Sequence, residues 1–144
     1  MKIESILATK SLNVITVGPD QSLREAVDLL AEHNIGTLIV VDEAGQPIGI
    51  ISERDIVREA ARTEAVLGQT VSRVMTRDLI TASPEDDLET VLQTMTAKHF
   101  RHLPIMDRER LIGVISIGDV VKAQLDKYQG EVDTLQTQII EGQV

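Results

Sequence analysis

Two short stretches hold the acids best placed to do chemistry. "GIISERD" runs from Gly49 to Asp55, and "GVISIGD" runs from Gly113 to Asp119, 64 positions later. Each sets a serine three residues before an aspartate. Such an acid can be a catalytic carboxylate, can grip a ligand diol through two hydrogen bonds, or can cap a helix. Capping needs nothing further: a serine that closes a strand, with an acid at the third helical position, is a capping box. Catalysis needs more. Neither motif contains a histidine base, no nucleophile–base pair stands out, and no glycine-rich phosphate loop is present. The expectation is a protein that is not an enzyme. Cap and grip both stay open, because a helix N-terminus also offers free N–H groups and partial positive charge to a phosphate.

The most basic stretch is "KHFRHLP", Lys98–Pro104. It reads as a solvated helix end, where cations are favoured, or as a phosphate clamp. For the clamp, Arg101 supplies a planar donor fork and His102 a further donor. His99 and His102 could share a metal, but no third ligand is apparent, and the expectation is no metal.

Composition narrows the field. With 14 basic and 23 acidic residues the net charge is −9, which disfavours nucleic acid as a partner. Phe100 and Tyr128 are the only aromatics, so a stacking platform for single strands is excluded. The chain has no cysteine, which removes disulfides and thiolate chemistry. No apolar run approaches the ~18 residues of a membrane span, and "MKIESILATK" lacks a signal-peptide core. The expected location is the cytoplasm, with no membrane partner.

The two acid motifs belong to a longer duplication. At an offset of 65, Thr16 falls on Thr81, Pro19 on Pro84, Leu38 on Leu103 and Asp42 on Asp107; one residue is then lost, and "IGIISERDIV" lies over "IGVISIGDVV". "IESIL" (Ile3–Leu7) resembles "VSRVM" (Val71–Met75). Two copies of about 60 residues suggest a pseudo-symmetric pair rather than a solenoid. Within a copy, Asn13–Val17 and Leu79–Ala82 read as short strands. Ser22 to about His33 reads as a helix with a Ser22–Glu25 capping box, and Asp86 or Asp87 starts its counterpart with Leu88, Val91, Leu92 and Met95 inward. "TLIVVD" is a buried strand, "AGQP" a turn and "IGIIS" the returning strand. A helix from Glu53 to about Arg62 should bury Ile56, Val57, Ala60 and Ala61. The fold class is α/β (α+β), with two β-α-β-β-α repeats plus a C-terminal helix. The domains are residues 1–64, residues 65–125 and a helical tail at 126–144. In that tail Leu125, Tyr128, Val132, Leu135 and Ile139 fall at 3-4-3-4 spacing, a short heptad seam. The seam packs back on its own domain or pairs with another chain. Gly130 costs this helix about 1 kcal/mol against alanine, so it needs such contacts.

On "DEAGQPIGIISERDIV" and "RHLPIMDRERLIGVISIGDVV", residues 1–125 resemble a tandem pair of cystathionine-β-synthase (CBS) domains. The resemblance implies a disc with two clefts between the copies. Such clefts bind adenosine nucleotides (AMP, ADP, ATP), in some members NAD(H) or S-adenosylmethionine. It implies that Asp55 and Asp119 grip ribose and that Ser52 and Ser116 lie near phosphate. Backbone at Ile15, Thr16, Val17, Ile35, Gly36 and Thr37 would read adenine in one cleft. Ile80, Thr81, Ala82, Arg101, His102, Leu103 and Pro104 would serve the other. Arg54 in one motif and Gly118 in the other make the two clefts unequal. Arg54, Arg58, Arg101, His102 and Lys122 favour a phosphorylated ligand over a sulfonium. The implied function is a regulatory adenine-nucleotide sensor, a homodimer acting through a protein effector or self-association. The alternative is an interaction scaffold with empty clefts.

Overall fold

The computed structural model describes residues 1–9 and 14–142. The order is α1 (Ile3–Leu7), β1 (Thr16–Val17), α2 (Leu23–His33), β2 (Thr37–Val41), β3 (Pro47–Ser52) and α3 (Glu53–Arg62). A 3-10 turn at Val66–Gly68 follows, then α4 (Val71–Val74), α5 (Leu88–Lys98), β4 (His102–Asp107), β5 (Arg110–Ser116) and α6 (Ile117–Gly142). The expected strand-helix-strand-strand-helix order is present in the first repeat. In the second, its opening strand is reduced to a single parallel bridge, Ala82 to Ile105. Of the first expected strand, only Thr16 and Val17 are strand; Asn13 lies outside the described residues.

The repeat is visible in the pairing. β2 runs antiparallel to β3 with Thr37 opposite Ser52, and β4 antiparallel to β5 with His102 opposite Ser116. Each hairpin carries its register shift at the same repeat position, Val40/Val41 and Ile105/Met106. The first turn is built by Asp42, whose Oδ1 accepts the N–H groups of Ala44 and Gln46, both at 2.9 Å, while Gly45 takes φ 80°. That Asx-type bonding is why Asp and Gly end such strands.

Caps set the helix starts. Ser22 Oγ accepts the Glu25 N–H at 3.1 Å, but the box is half formed, because Glu25 turns its carboxylate to Gln21 Nε2 at 2.8 Å. Asp87, not Asp86, caps α5 through the Thr90 N–H at 3.2 Å. Asp86 instead closes the turn before it, on the Ser83 N–H. α2 and α5 both end on a left-handed residue, Asn34 and His99.

Two cores result, and they do not follow the repeat boundaries. One joins Val17, Leu23, Ala26, Leu38, Val40, Ile51 and Ile56 with Val66, Val71 and Met75. The other joins Leu88, Val91, Met95, Leu103, Ile105, Ile115 and Val120 with Ile3, Ile6 and Leu7. α1 therefore closes the core of the second repeat, fastened by Ile3 N–H to Asp86 O at 3.0 Å and Leu88 N–H to Met1 O at 2.8 Å. α4 does the same for the first repeat, through Val71 N–H to Gln21 O at 2.8 Å.

α3 buries less than its sequence suggests. Ile56 is buried, whereas Val57 is 67% exposed, and Ala60 and Ala61 are also exposed. α3 lies at the margin of its layer, so one stripe meets β3, α2 and α4 and the rest faces outward. The expected tail is the continuation of α6, a single helix of 26 residues that holds to α5, β5 and α1 by its first turns. No helix among the described residues is long and apolar enough to cross a membrane.

Candidate functional site

Both serine–aspartate motifs are complete capping boxes. Ser52 N–H donates to Asp55 Oδ2 at 2.9 Å, and Asp55 N–H donates to Ser52 Oγ at 3.2 Å. In the second motif Ser116 N–H donates to Asp119 Oδ2 at 2.8 Å, and Asp119 N–H to Ser116 Oγ at 3.1 Å. The capping use of these acids is thus realised. It also fixes each carboxylate at the strand–helix junction, aimed by its own backbone. Each box spends the Oδ2 atom, and the Asp55 box leaves Oδ1 outside it.

A second duplicated bond ties these junctions to the neighbouring strands. Glu53 N–H donates to Gly36 O at 2.9 Å, and Ile117 N–H to Arg101 O at 2.8 Å. Glu53 and Ile117 are repeat equivalents, as are Gly36 and Arg101. The start of α3 is thereby held beside the start of β2, and the start of α6 beside β4.

Two cavities open at these junctions, each lined from both repeats. The larger, about 380 Å³, is lined by Ser52, Glu53, Arg54 and Asp55 of the first repeat and by Thr76, Asp78, Leu79, His99, Phe100, Arg101 and His102 of the second, with Gly36, Thr37 and Ile50. The smaller, about 280 Å³, joins Val14, Ile15, Ile35, Gly36, Thr37 and Ile39 with His102, Gly113, Val114, Ser116 and Asp119. Each aspartate therefore faces the segment supplied by the opposite repeat. Gly36, Thr37 and His102 line both cavities, and Thr37 Oγ1 lies 3.3 Å from His102 Nδ1. Thr37 and His102 are repeat equivalents, so this contact straddles the pseudo-two-fold and forms the wall between the cavities.

The two cavities differ in charge. Arg54, Arg101, His99 and His102 face Glu53, Asp55 and Asp78 in the larger, whereas the smaller has only His102 and Asp119. Arg58 and Lys122, grouped with the other cations on sequence, line neither. Among the described residues no cluster of three or more His, Cys, Asp or Glu is placed to hold a metal, and no buried side-chain polar atom lacks a partner.

Of the residues expected at the site, Ile15, Ile35, Gly36, Thr37, Ser52, Arg54, Asp55, Arg101, His102, Ser116 and Asp119 line a cavity. The others lie outside both. Strand alternation turns Val17 and Leu103 into the cores, each 2% exposed. Ala82 and Pro104 are buried where the bridge forms, with Ala82 N–H donating to Pro104 O at 3.0 Å. Ile80 packs against the second core. Thr16 and Thr81 point outward, and Gly118 sits exposed in the first turn of α6. A Cβ at Gly118 would meet only Ser116 Oγ at 3.6 Å, an ordinary contact.

Sequence reasoning missed the lining from Thr76, Asp78 and Leu79, which comes from an irregular segment with no periodicity to read. It also missed Phe100. The signal available there was a lone phenylalanine inside the basic stretch.

The CBS domain family matches this chain twice, at residues 3–62 and 71–126. The CBS domain-containing protein YhcV of Bacillus subtilis is 37% identical over 126 residues, covering 85% of this chain and 87% of that protein. Inosine-5'-monophosphate dehydrogenase of Methanocaldococcus jannaschii is 37% identical over 111 residues, 76% of this chain but 21% of the enzyme. Among solved structures, the CBS-domain containing protein ATU1752 from Agrobacterium tumefaciens superposes with a TM-score of 0.80 at 40% identity, covering 85% of this chain and 92% of that one. The CBS domain pair of protein MJ0100, in complex with 5'-methylthioadenosine and S-adenosyl-L-methionine, gives a TM-score of 0.77 at 29% identity, covering 88% of this chain and 98% of that one. With two matched repeats, duplicated junctions and a cavity at each, the chain belongs to the CBS domain family, as a tandem pair.

Proposed function

We propose that this chain is a regulatory module that binds an adenine nucleotide (AMP, ADP, ATP or NAD(H)) in the larger of its two junction cavities. CBS domain pairs are regulatory modules that often bind adenosine ligands, as the MJ0100 pair does. The observation that carries the reading is the Asp55 carboxylate, held by its own backbone in the wall of a cavity that also contains Arg101 and Arg54. A volume near 380 Å³ falls within the range of small-molecule sites. Asp55 Oδ1 and the second lone pair of Oδ2 would accept a ribose diol, while Arg101 and Arg54 pair with phosphate oxygens. The smaller cavity, with no Arg or Lys in its lining, suits a less charged adenosine-like ligand, gripped by Asp119. The output passes through a protein effector or through self-association, and the expected setting is the cytoplasm.

Asp55→Asn tests the grip apart from the cap. Asparagine can still accept the Ser52 N–H, yet it loses the charge and one acceptor. Calorimetry with AMP, ATP and NADH should show one of them binding. Affinity should fall about tenfold or more in Asp55→Asn, as expected for a hydrogen bond to a charged group, with the folded circular-dichroism spectrum retained and at most a small drop in melting temperature from the lost charge at the helix start. A second reading is a scaffold with empty clefts, favoured by the engagement of both aspartates in capping boxes. No heat from any adenine nucleotide would establish that reading instead.

A further inference from the structure

Beyond its first turns α6 leaves the disc, yet it is not polar all round. Leu125, Tyr128, Val132, Leu135 and Ile139 are 45% to 62% exposed, and Val121 at 43% extends their stripe by a turn. The stripe is a heptad seam with Leu125, Val132 and Ile139 at a, and Val121, Tyr128 and Leu135 at d. Val120 and Ala123, which hold α6 to its own core, lie at c and f. At 3.6 residues per turn these positions sit on the far side of the helix from the seam. A second helix therefore reaches the stripe without displacing the disc. Gly130 falls at f, away from the seam.

We propose that α6 pairs through this stripe with α6 of a second copy of the chain, as a parallel two-stranded coiled coil. In the C-terminal half of the seam, Val132 and Ile139 at a with Leu135 at d are the pattern that suits two parallel strands, while Leu125 at a and Val121 and Tyr128 at d do not follow it. The flanking residues select the same arrangement. They are Lys122, Gln129 and Gln136 at e, and Gln124, Glu131 and Gln138 at g. In parallel register Gln124 faces Gln129 of the second copy, and Glu131 faces Gln136 of the second copy. No like charges meet. Antiparallel pairing with full overlap sets Glu131 against Glu131 of the second copy, an unfavourable like-charge contact. Four of these six flanking residues are glutamine, so the flank carries little charge code for a foreign partner and is tolerated by an identical one. The seam spans residues 121–139, about 28 Å at ~1.5 Å per residue. The pairing gives the self-association of the proposed function a surface, and it does not depend on nucleotide binding.

The chain lacks cysteine, so single cysteines report the pairing directly. Full-length Leu135→Cys and Ile139→Cys should each form a disulfide-linked dimer under mild oxidation. Thr137→Cys, at the outer f position, should cross-link at least tenfold less. Adding Leu125→Glu and Val132→Glu to Leu135→Cys should reduce its cross-link at least tenfold. A mixture of Leu125→Cys and Leu135→Cys should give the two self-linked products and no mixed one. A mixed product would overturn the parallel direction. Cross-linking of Leu135→Cys and Ile139→Cys no greater than that of Thr137→Cys would overturn the pairing itself. The assay contains no nucleotide, so its failure is distinct from failure of the ligand reading.

Discussion

A side chain at position 49 would have nowhere to go. A Cβ there would come within 2.6 Å of Met75 Sδ and 3.0 Å of Thr76 O. The crowding arises because β3 has a neighbour on its outer edge: Ile50 and Thr76 exchange backbone hydrogen bonds at 2.9 and 2.8 Å. Gly49→Ala should destabilise the protein by about 1–3 kcal/mol, as overpacking does, measured by urea unfolding. Because Ile50 and Thr76 both line the larger cavity, the same substitution should weaken its ligand. The glycine was visible in sequence as a repeated residue, but its reason was not, since Met75 and Thr76 lie far along the chain. The serine–aspartate boxes were legible for the opposite reason: both partners sit within three residues. Bonds such as Glu53 N–H to Gly36 O join distant segments and leave no local pattern.

At the scale of elements, caps and periodicity were the readable signals. α2, α5 and both hairpins follow from them. Leu79–Ala82 was expected as a strand on its β-forming residues and contributes one bridge, because only Ala82 meets β4. Val57, Ala60 and Ala61 have apolar spacing, but α3 presents them to solvent; burial depends on what packs opposite, which periodicity does not report. The α5 cap makes a pH-dependent contribution. The Thr90 N–H holds the Asp87 carboxyl below the usual carboxylate range. A carboxylate with a lowered folded value stabilises above the ordinary range, and that stability is lost as pH falls through the lowered value. Asp87→Ala should therefore lower the melting temperature at neutral pH. In strong acid the variant and the parent should converge, as read by circular dichroism across pH.

At the scale of the molecule, the repeats exchange their first helices. Ile3, Ile6 and Leu7 fill the core of the second repeat, while Val66, Val71 and Met75 fill that of the first. The sequence repeat and the packing unit are therefore different objects. Deleting residues 1–8 removes three buried side chains from a core that begins about eighty residues later. At about 1.5–3 kcal/mol for each buried apolar side chain, the loss rivals a typical stability of about 5–15 kcal/mol. The truncated chain should unfold at a much lower urea concentration. The intact chain should show one transition by fluorescence-independent probes such as circular dichroism and hydrogen exchange.

The contact of Thr37 with His102 has a consequence of its own. In a complex of two identical single repeats, a true symmetry axis would make any residue on it meet its own image, threonine on threonine or histidine on histidine. Joining the copies in one chain removes that obligation. The axis can then hold an unlike pair, and each side chain gives a different face to the cavity beside it. Covalent linkage thus lets one architecture carry two differently tuned recesses that share a single partition.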